Sequence, residues 1–443
     1  MPNSTSHPAE LRPSPVTSTV ASPVVWLLQG ARLGDNQQVL ALGAALEARF
    51  GWRLVVKRLK FHSGPIPGDD IAQAVAHVNV AQSDSIRANS ADPWPDLVIA
   101  IGRRAAPVAR WVKARGNMGA EPKGIHIQLG RFQDRFDSVD LLVTTAQYAL
   151  PAAANVLHLS LPITARKQAA LAKAALAFAP LFAAIGGPKI GVLVGGPSNP
   201  MQFGINDGRR LVAEALVFAE ARQGTLLVAT SPRTPADVLD ALMQGLPSPH
   251  RLFPFESNAG DRNPYPALLA LCDAFVVTTD SVSMVADACL TGRETRLFAL
   301  PVRPPRPLWQ PSWPLVEWAG RRRNQRLFRT APMDGLDRWY EGEVRAARAQ
   351  PTRYVPIIMN HLLRERHVTL LADADAPRFG IAQLAQQELD MVASRILALL
   401  AQRRAGALRD QLALGGGLAA RAAAPRRGTA SEMGLSGLDP ATP

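Results

Sequence analysis

Between residues 273 and 292 the chain reads DAFVVTTDSVSMVADACLTG, and the residue types change there in an order that suits an anion. Residues 274–278 are apolar and have strand composition. Thr279, Asp280 and Ser281 make a short polar turn, and residues 282–290 continue as a helix that Gly292 closes. Hydroxyls and unpaired backbone N–H groups would gather at the helix N-terminus, where the dipole favours negative charge. Asp280, Ser281 and Ser283 are the candidates for that anion. Asp287 follows one to two turns later, where a carboxylate could hold a ribose. The chemistry implied is that of phosphate joined to sugar.

Three further loops carry similar residue types. After a strand at residues 189–194 comes Gly195-Gly196-Pro197-Ser198-Asn199-Pro200. Gly195 and Gly196 would let backbone approach a diphosphate, and Ser198 and Asn199 could donate to it. An ordinary strand-to-loop turn is the plain alternative; the Asp280-Ser281 turn in the same half favours the binding reading. In Thr230-Ser231-Pro232-Arg233-Thr234, Arg233 could grip phosphate with both arms of its fork, or be a solvated arginine beside a helix cap. Near the N-terminus, Asp35 follows the first strand just before a helix. It could cap that helix, or act as a general base aimed into a cleft. Gly30, Gly34 and Asn36 would shape an acceptor or phosphate loop around it.

The missing patterns narrow the chemistry. Gly30 and Gly34 are spaced GxxxG, and neither GxGxxG nor GxxxxGK[ST] occurs, which argues against a dehydrogenase or a P-loop NTPase. Asp373-Ala374-Asp375 resembles a metal-holding DxD, but it comes after two complete α/β halves and reads better as an exposed turn. His361 and His367 stand without a ligand cluster, so no metal is expected.

The elements that must position these residues repeat one grammar. A strand at 24–28, a helix at about 37–50 and a strand at 52–59 make a βαβ unit, and the alternation restarts after Gly186-Gly187-Pro188. The divisions expected are a tail at 1–23, an N-terminal acceptor domain at 24–185 and a C-terminal nucleotide domain at 186–330. A mainly helical extension at 331–402 and a tail at 403–443 complete them. The 443 residues are too many for one ordinary core, and 47% hydrophobic with 19% charged residues suits a globular chain. With 49 basic and 36 acidic residues the formal charge is +13, which favours anionic partners. The two cysteines, Cys272 and Cys289, read as buried apolar residues of a reducing compartment. No signal-peptide pattern and no apolar run of about 18 residues occurs. The expectation is a cytoplasmic chain, peripheral at most on the cytoplasmic face of a membrane.

Residues 303–329 interleave arginines with Trp309, Trp313 and Trp318. Packed tryptophans with solvated arginines is the first reading, and contact with an anionic membrane surface the second. Nucleic acid is not expected as a partner, because no recognition fold accompanies the patch.

In order along the chain, Gly34-Asp35-Asn36-Gln37, Gly195-Gly196-Pro197-Ser198, the loop at 231–235 and Thr279-Asp280-Ser281-Val282-Ser283-Met284 resemble the elongated-mitochondria (mitochondrial fission) protein family. The resemblance covers roughly residues 24–300, and the DSVSM segment is its most specific part. Plant members act in mitochondrial division, and bacterial members are usually described as glycosyltransferases or nucleotide-sugar enzymes. What this implies is an α/β fold of GT-B type: two facing Rossmann-like domains, the donor nucleotide in the C-terminal one. Gly195, Gly196 and Ser198 would face the donor diphosphate, with Ser281 and Ser283 near phosphate or sugar. Asp287 falls where such enzymes often place a ribose-binding glutamate. Thr144-Thr145-Ala146-Gln147-Tyr148 departs from the acidic or histidine-containing segment more usual after that strand. The function expected is metal-independent sugar transfer from a nucleoside-diphosphate sugar, with no cofactor, to an acceptor left open. Its alternatives are a nucleotide-sugar epimerase or hydrolase of the same fold, or a non-catalytic adaptor recruited to a membrane in organelle or envelope division.

Overall fold

The computed structural model describes residues 22–422, apart from 67–69, 90–91, 119–123, 165–167, 258, 304–314 and 379. Most of both expected tails, together with Arg306, Trp309 and Trp313, therefore lies outside the described residues. The first unit contains β1 (Val24–Gln29), α1 (Leu33–Phe50), β2 (Arg53–Arg58), β3 (Leu97–Ile101), α2 (Gly102–Gly116), β4 (Ile125–Leu129), β5 (Leu141–Thr145) and β6 (Val156–Leu159). After α3 (Gln168–Ala183) come β7 (Lys189–Leu193), α4 (Ile205–Glu220), β8 (Thr225–Ala229), α5 (Ala236–Gly245) and β9 (Arg251–Phe253). The second unit closes with α6 (Tyr265–Leu271), β10 (Ala274–Thr278), α7 (Val282–Leu290) and β11 (Glu294–Phe298). The extension adds α8 (Leu315–Arg329), α9 (Gly335–Arg345), α10 (Pro356–Arg364), β12 (Thr369–Leu370) and α11 (Ile381–Ala422).

Two parallel six-stranded sheets result, ordered β2-β1-β3-β4-β5-β6 and β12-β11-β10-β7-β8-β9. This is the two-domain, Rossmann-like α/β architecture that the sequence predicts. Strands β3, β4, β5, β8 and β10 are buried at every residue. That is why they read as continuous apolar runs and not as alternating ones: helices cover both faces of a parallel sheet. The single Thr369–Leu370 strand adds to the edge at β11 and carries the extension back onto the second sheet.

Three boundaries differ from the sequence reading. Helix α1 begins at Leu33, not near residue 37, so Asp35 and Asn36 sit in its first turn, where an acidic side chain complements the helix dipole. Helix α3 packs on α6 of the second unit, because Leu171, Phe178 and Phe182 join that unit's core. Helix α11 runs on to Ala422, past the point where composition suggests a tail; its Ala, Leu, Arg and Gln residues are strong helix formers. This last helix ties the units together. It packs on α7 of the second and on α1 and β6 of the first, and Glu388 accepts from Ser160 N at 3.0 Å and Oγ at 2.8 Å.

Candidate functional site

In each sheet the strand order reverses once, between β1 and β3 in the first and between β7 and β10 in the second. Loops leaving such strands at their carboxyl ends diverge and open a crevice, the usual ligand position in open α/β sheets. At these two points lie residues 30–36 with Gly102-Arg103, which include the first turns of α1 and α2, and residues 194–200 with 279–281. All the loops singled out from sequence except 230–234 begin there, and 230–234 folds against them.

On the C-terminal side, Asp280 is the organiser. Its carboxylate accepts from Gly196 N at 2.9 Å, Thr278 Oγ1 at 2.7 Å and Arg233 Nη2 at 2.8 Å, and Thr278 Oγ1 in turn accepts from Gly195 N at 2.8 Å. Burial pushes the carboxyl up from the ordinary carboxylate range, while these donors pull it back. The Asp280 side chain is fully buried but 44% of Arg233 stays exposed. The pair therefore anchors the guanidinium without hiding it. Gly195 and Gly196 are glycines for an internal reason: an added Cβ would strike the Asp280 carboxylate at one and the Arg233 backbone carbonyl at the other. Their N–H groups already serve Thr278 and Asp280, so they brace the loop instead of presenting free donors. Gly196→Ala is expected to cost about 1–3 kcal/mol by overpacking. Gly34→Ala, with open space around it, should be neutral or slightly stabilising; thermal melts of the two variants check this.

The other C-terminal candidates separate. Ser231 Oγ lies 3.2 Å from Thr234 Oγ1 and accepts from Arg233 N at 3.3 Å, a local turn that holds Arg233 in place. Ser281 precedes α7 without a capping side-chain hydrogen bond and meets Ser283 at 3.4 Å between hydroxyls. The first N–H groups of α7 are thus left for something outside the helix. Ser198 is half-buried and Asn199 exposed on the loop after β7. Asp287 is half-buried and accepts from the Tyr265 hydroxyl at 2.8 Å, so its first task is to satisfy a buried phenol.

On the N-terminal side Asn36 clasps the Gly30 peptide, accepting from its N–H and donating to its carbonyl, both at 2.9 Å. Both residues shape the loop, and neither offers those groups to a ligand. Gly34 is exposed beside them. Asp35 lies close to Gly102, whose added Cβ would stand 3.8 Å from Oδ2. Burial raises its carboxyl above the ordinary 3.8, opposed by Arg32 and Arg353 nearby.

Sequence reasoning missed the groups that face Asp35. Arg353 sits within electrostatic reach of Tyr148, Arg32 and Asp35 in the first unit and of Arg233 in the second. Its Nε donates to Gln147 Oε1 at 3.2 Å, and Tyr354 N donates to Gln147 O at 2.7 Å. Arg131 donates to the Pro351 carbonyl at 3.2 Å and leaves its buried Nε without a partner. Burial lowers the guanidinium of each, and neighbouring arginines push the same way. Among the described residues, none of Arg32, Arg131 and Arg353 has an ion-pair partner. No spacing could reveal this cluster, since Arg353 comes from the extension, after both α/β units.

Elsewhere most arginines of α8 are paired. Arg321 pairs with Glu317, Arg322 and Arg326 with Asp334 and Asp337, and Arg323 with Glu341 and the Ala149 carbonyl. Trp318 packs against the buried cluster that contains Phe132 and Tyr340. Asp373 accepts from Leu370 N at 2.9 Å and Asp375 pairs with Arg366, so the DxD is a turn after β12. Among the described residues no three His, Cys, Asp or Glu gather where a metal could be held, and no helix is long and apolar enough to cross a membrane.

A family model described as Mitochondrial fission ELM1 matches residues 33–310. The mitochondrial fission protein ELM1 of Arabidopsis thaliana is 35% identical over 125 residues, which cover 28% of this chain and 29% of that protein, so the match spans less than a third of the relative's length. Among solved structures, the UDP-GlcNAc 2-epimerase of Neisseria meningitidis bound to UDP-GlcNAc is similar with a TM-score of 0.39 and 10% identity, over 84% of this chain and all of that one. A glycosyl transferase family 9 protein of Veillonella parvula has a TM-score of 0.34 and 11% identity, over 74% and 96% of the two chains.

Proposed function

The chain belongs to the mitochondrial fission ELM1 family, and from that premise we propose that it holds the diphosphate of a nucleoside-diphosphate sugar between its two switch points and transfers the sugar to an acceptor hydroxyl. The observation that supports this most is that Arg353 of the extension lies within electrostatic reach of Arg32 and Asp35 from the first unit and of Arg233, held by Asp280, from the second. Cations held near one another repel, and Arg32, Arg131 and Arg353 have no ion-pair partner among the described residues to offset this. A bound diphosphate relieves that repulsion. The free N–H groups at the start of α7 lie at the carboxyl end of β10 and add neutral donors for the same anion.

In the transfer step the acceptor oxygen attacks the anomeric carbon, its proton passes to Asp35, and the bond from that carbon to the diphosphate oxygen breaks with the electron pair going to the diphosphate. Fixed guanidinium groups meet the charge that develops on the leaving group, and being preorganised they need no rearrangement to do so. A carboxylate raised by burial is the better base for this, because its affinity for the proton lies closer to working pH.

Incubation with labelled UDP-, GDP- and dTDP-sugars and analysis of the products separates transfer from epimerisation and hydrolysis. Asp35→Asn is expected to lower transfer by about 100-fold or more. It should leave UDP binding equal or tighter, since a negative charge beside the anion is removed. The acid limb of the wild-type rate profile should lie above pH 3.8, because the folded carboxyl keeps its proton beyond its ordinary value. Full transfer by Asp35→Asn would remove the base from this scheme; an absence of any nucleotide-induced thermal shift would favour the adaptor instead.

A further inference from the structure

A second cavity, of about 430 Å³, opens beside the cleft on the N-terminal unit. Its floor is one face of α2: Arg103, Ala106, Pro107 and Arg110 recur at the spacing of neighbouring helical turns. Alanine and proline in the middle leave room, and the arginines mark the two ends. The facing wall is the loop at 64–66, where Pro65 and Ile66 add apolar surface. Arg104 holds that wall in place by donating to the His62 carbonyl at 2.6 Å and the Gly64 carbonyl at 3.1 Å. Gln350 closes the side towards Arg353, so the same crossing segment borders both the cavity and the cleft.

The polar groups lining this cavity are not balanced. Arg110 is paired with Asp134, which cancels one charge. Arg103 and Arg104 have no carboxylate partner among the described residues, and Arg103 is exposed. Gln133 lines the cavity with a buried Nε2 that has no hydrogen-bond partner. Pro107 has no N–H, so the Arg103 carbonyl lacks the donor that a helix would normally supply. Two cations, a spare amide donor, a spare carbonyl acceptor and an apolar floor are therefore presented together. The volume is that of a small-ligand pocket and suits one ring with one charged group.

We propose that this cavity binds the second substrate, and that this substrate is a phosphomonoester: Arg103 and Gln133 hold the phosphate while Ala106, Pro107 and Ile66 take the apolar body. The inference rests on reading the neighbouring cleft as the donor site, which Gly102 and Asp35 adjoin. A dianion matches the two uncancelled arginines, and the planar guanidinium fork suits phosphate oxygens. A hydroxyl of the same molecule, donated towards the Arg103 carbonyl, would lie on the side facing Asp35.

The test is calorimetric titration of the full chain with phenyl phosphate, alone and in the presence of saturating UDP, with benzoate as the monoanionic control. Phenyl phosphate should bind in both conditions and more tightly than benzoate. Arg103→Gln should weaken it about 10-fold or more, and Gln133→Leu should weaken it less while binding UDP within about twofold of the wild type. No binding to the wild type, equal binding of benzoate, or full retention in Arg103→Gln would each overturn the proposal. UDP binding without phenyl phosphate binding removes this assignment and leaves the donor cleft standing. Phenyl phosphate binding without UDP binding removes the donor reading, and with it the role of second substrate.

Discussion

Arg353→Gln is expected to weaken UDP binding by roughly 10- to 100-fold while leaving the melting temperature of the free protein nearly unchanged. The two halves of that result come from one fact. Arg353 lies where Arg32, Arg233, Asp35 and Tyr148 all reach it, and burial already works against its charge. A hydrogen bond to a charged group contributes about 1.5–3 kcal/mol, which sets the loss of affinity. Without nucleotide the same guanidinium has one neutral partner, Gln147, and the repulsion of Arg32 and Arg233 offsets the attraction of Asp35, so removing it costs the free protein little. Ligand-induced stabilisation follows occupancy, about 2.7 kcal/mol at 100 times the dissociation constant, so the thermal shift with UDP should shrink in step. Arg262→Gln is the control: that side chain is 78% exposed and pairs with Glu256, and neither quantity should move. A fall in melting temperature without loss of UDP affinity would make Arg353 a structural residue.

Asp280→Ala should have the largest effect on folding of any single change at the site, roughly 3 kcal/mol. Removing the carboxylate leaves the Gly196 N–H and the Thr278 hydroxyl without an acceptor, both inside the protein. One-sided removal of a buried ion pair costs about 3–5 kcal/mol; the lower end applies because Arg233 is already 44% exposed and can rehydrate. Asp280→Asn keeps an acceptor for one of the two donors and should lose less. Urea unfolding followed by a probe in the C-terminal unit reads both variants. A loss of UDP affinity in Asp280→Asn that exceeds its loss of stability would show that the residue's second effect is to aim Arg233. Equal stability of Asp280→Ala and wild type would sink the structural role.

Much of this was legible beforehand, for reasons that differ from residue to residue. Parallel strands buried on both faces leave continuous apolar runs, and Gly or polar turns must interrupt them, so both sheets could be read. Asp280, Arg233, Gly195 and Gly196 were found as a group because each lies in a loop after a strand of one unit. What they do could not be read. The two glycines look like a phosphate cradle in sequence, but their N–H groups are taken by Thr278 and Asp280. Asp287 looks like a ribose contact, but it first satisfies Tyr265, which hydrogen-bonds it across the gap between two helices. Apolar periodicity predicts a start of α1 near residue 37, one turn late, and so puts in a loop an Asp35 that belongs to the helix.

What the amino-acid sequence alone determined is what depends on neighbours in the chain: the strands, the helices, the duplicated α/β order and the loops at which a ligand could be met. A short-range period decides these, since burying a strand or one helix face constrains only nearby residues. What the tertiary structure decided is where charge collects. Arg353 reaches Asp35 and Arg233 because the extension returns across both units, and Arg131, Arg32 and Tyr148 join it from separate loops. Electrostatic fields act through space without regard to chain order, so only the folded chain shows which of these arginines lie within reach of one another.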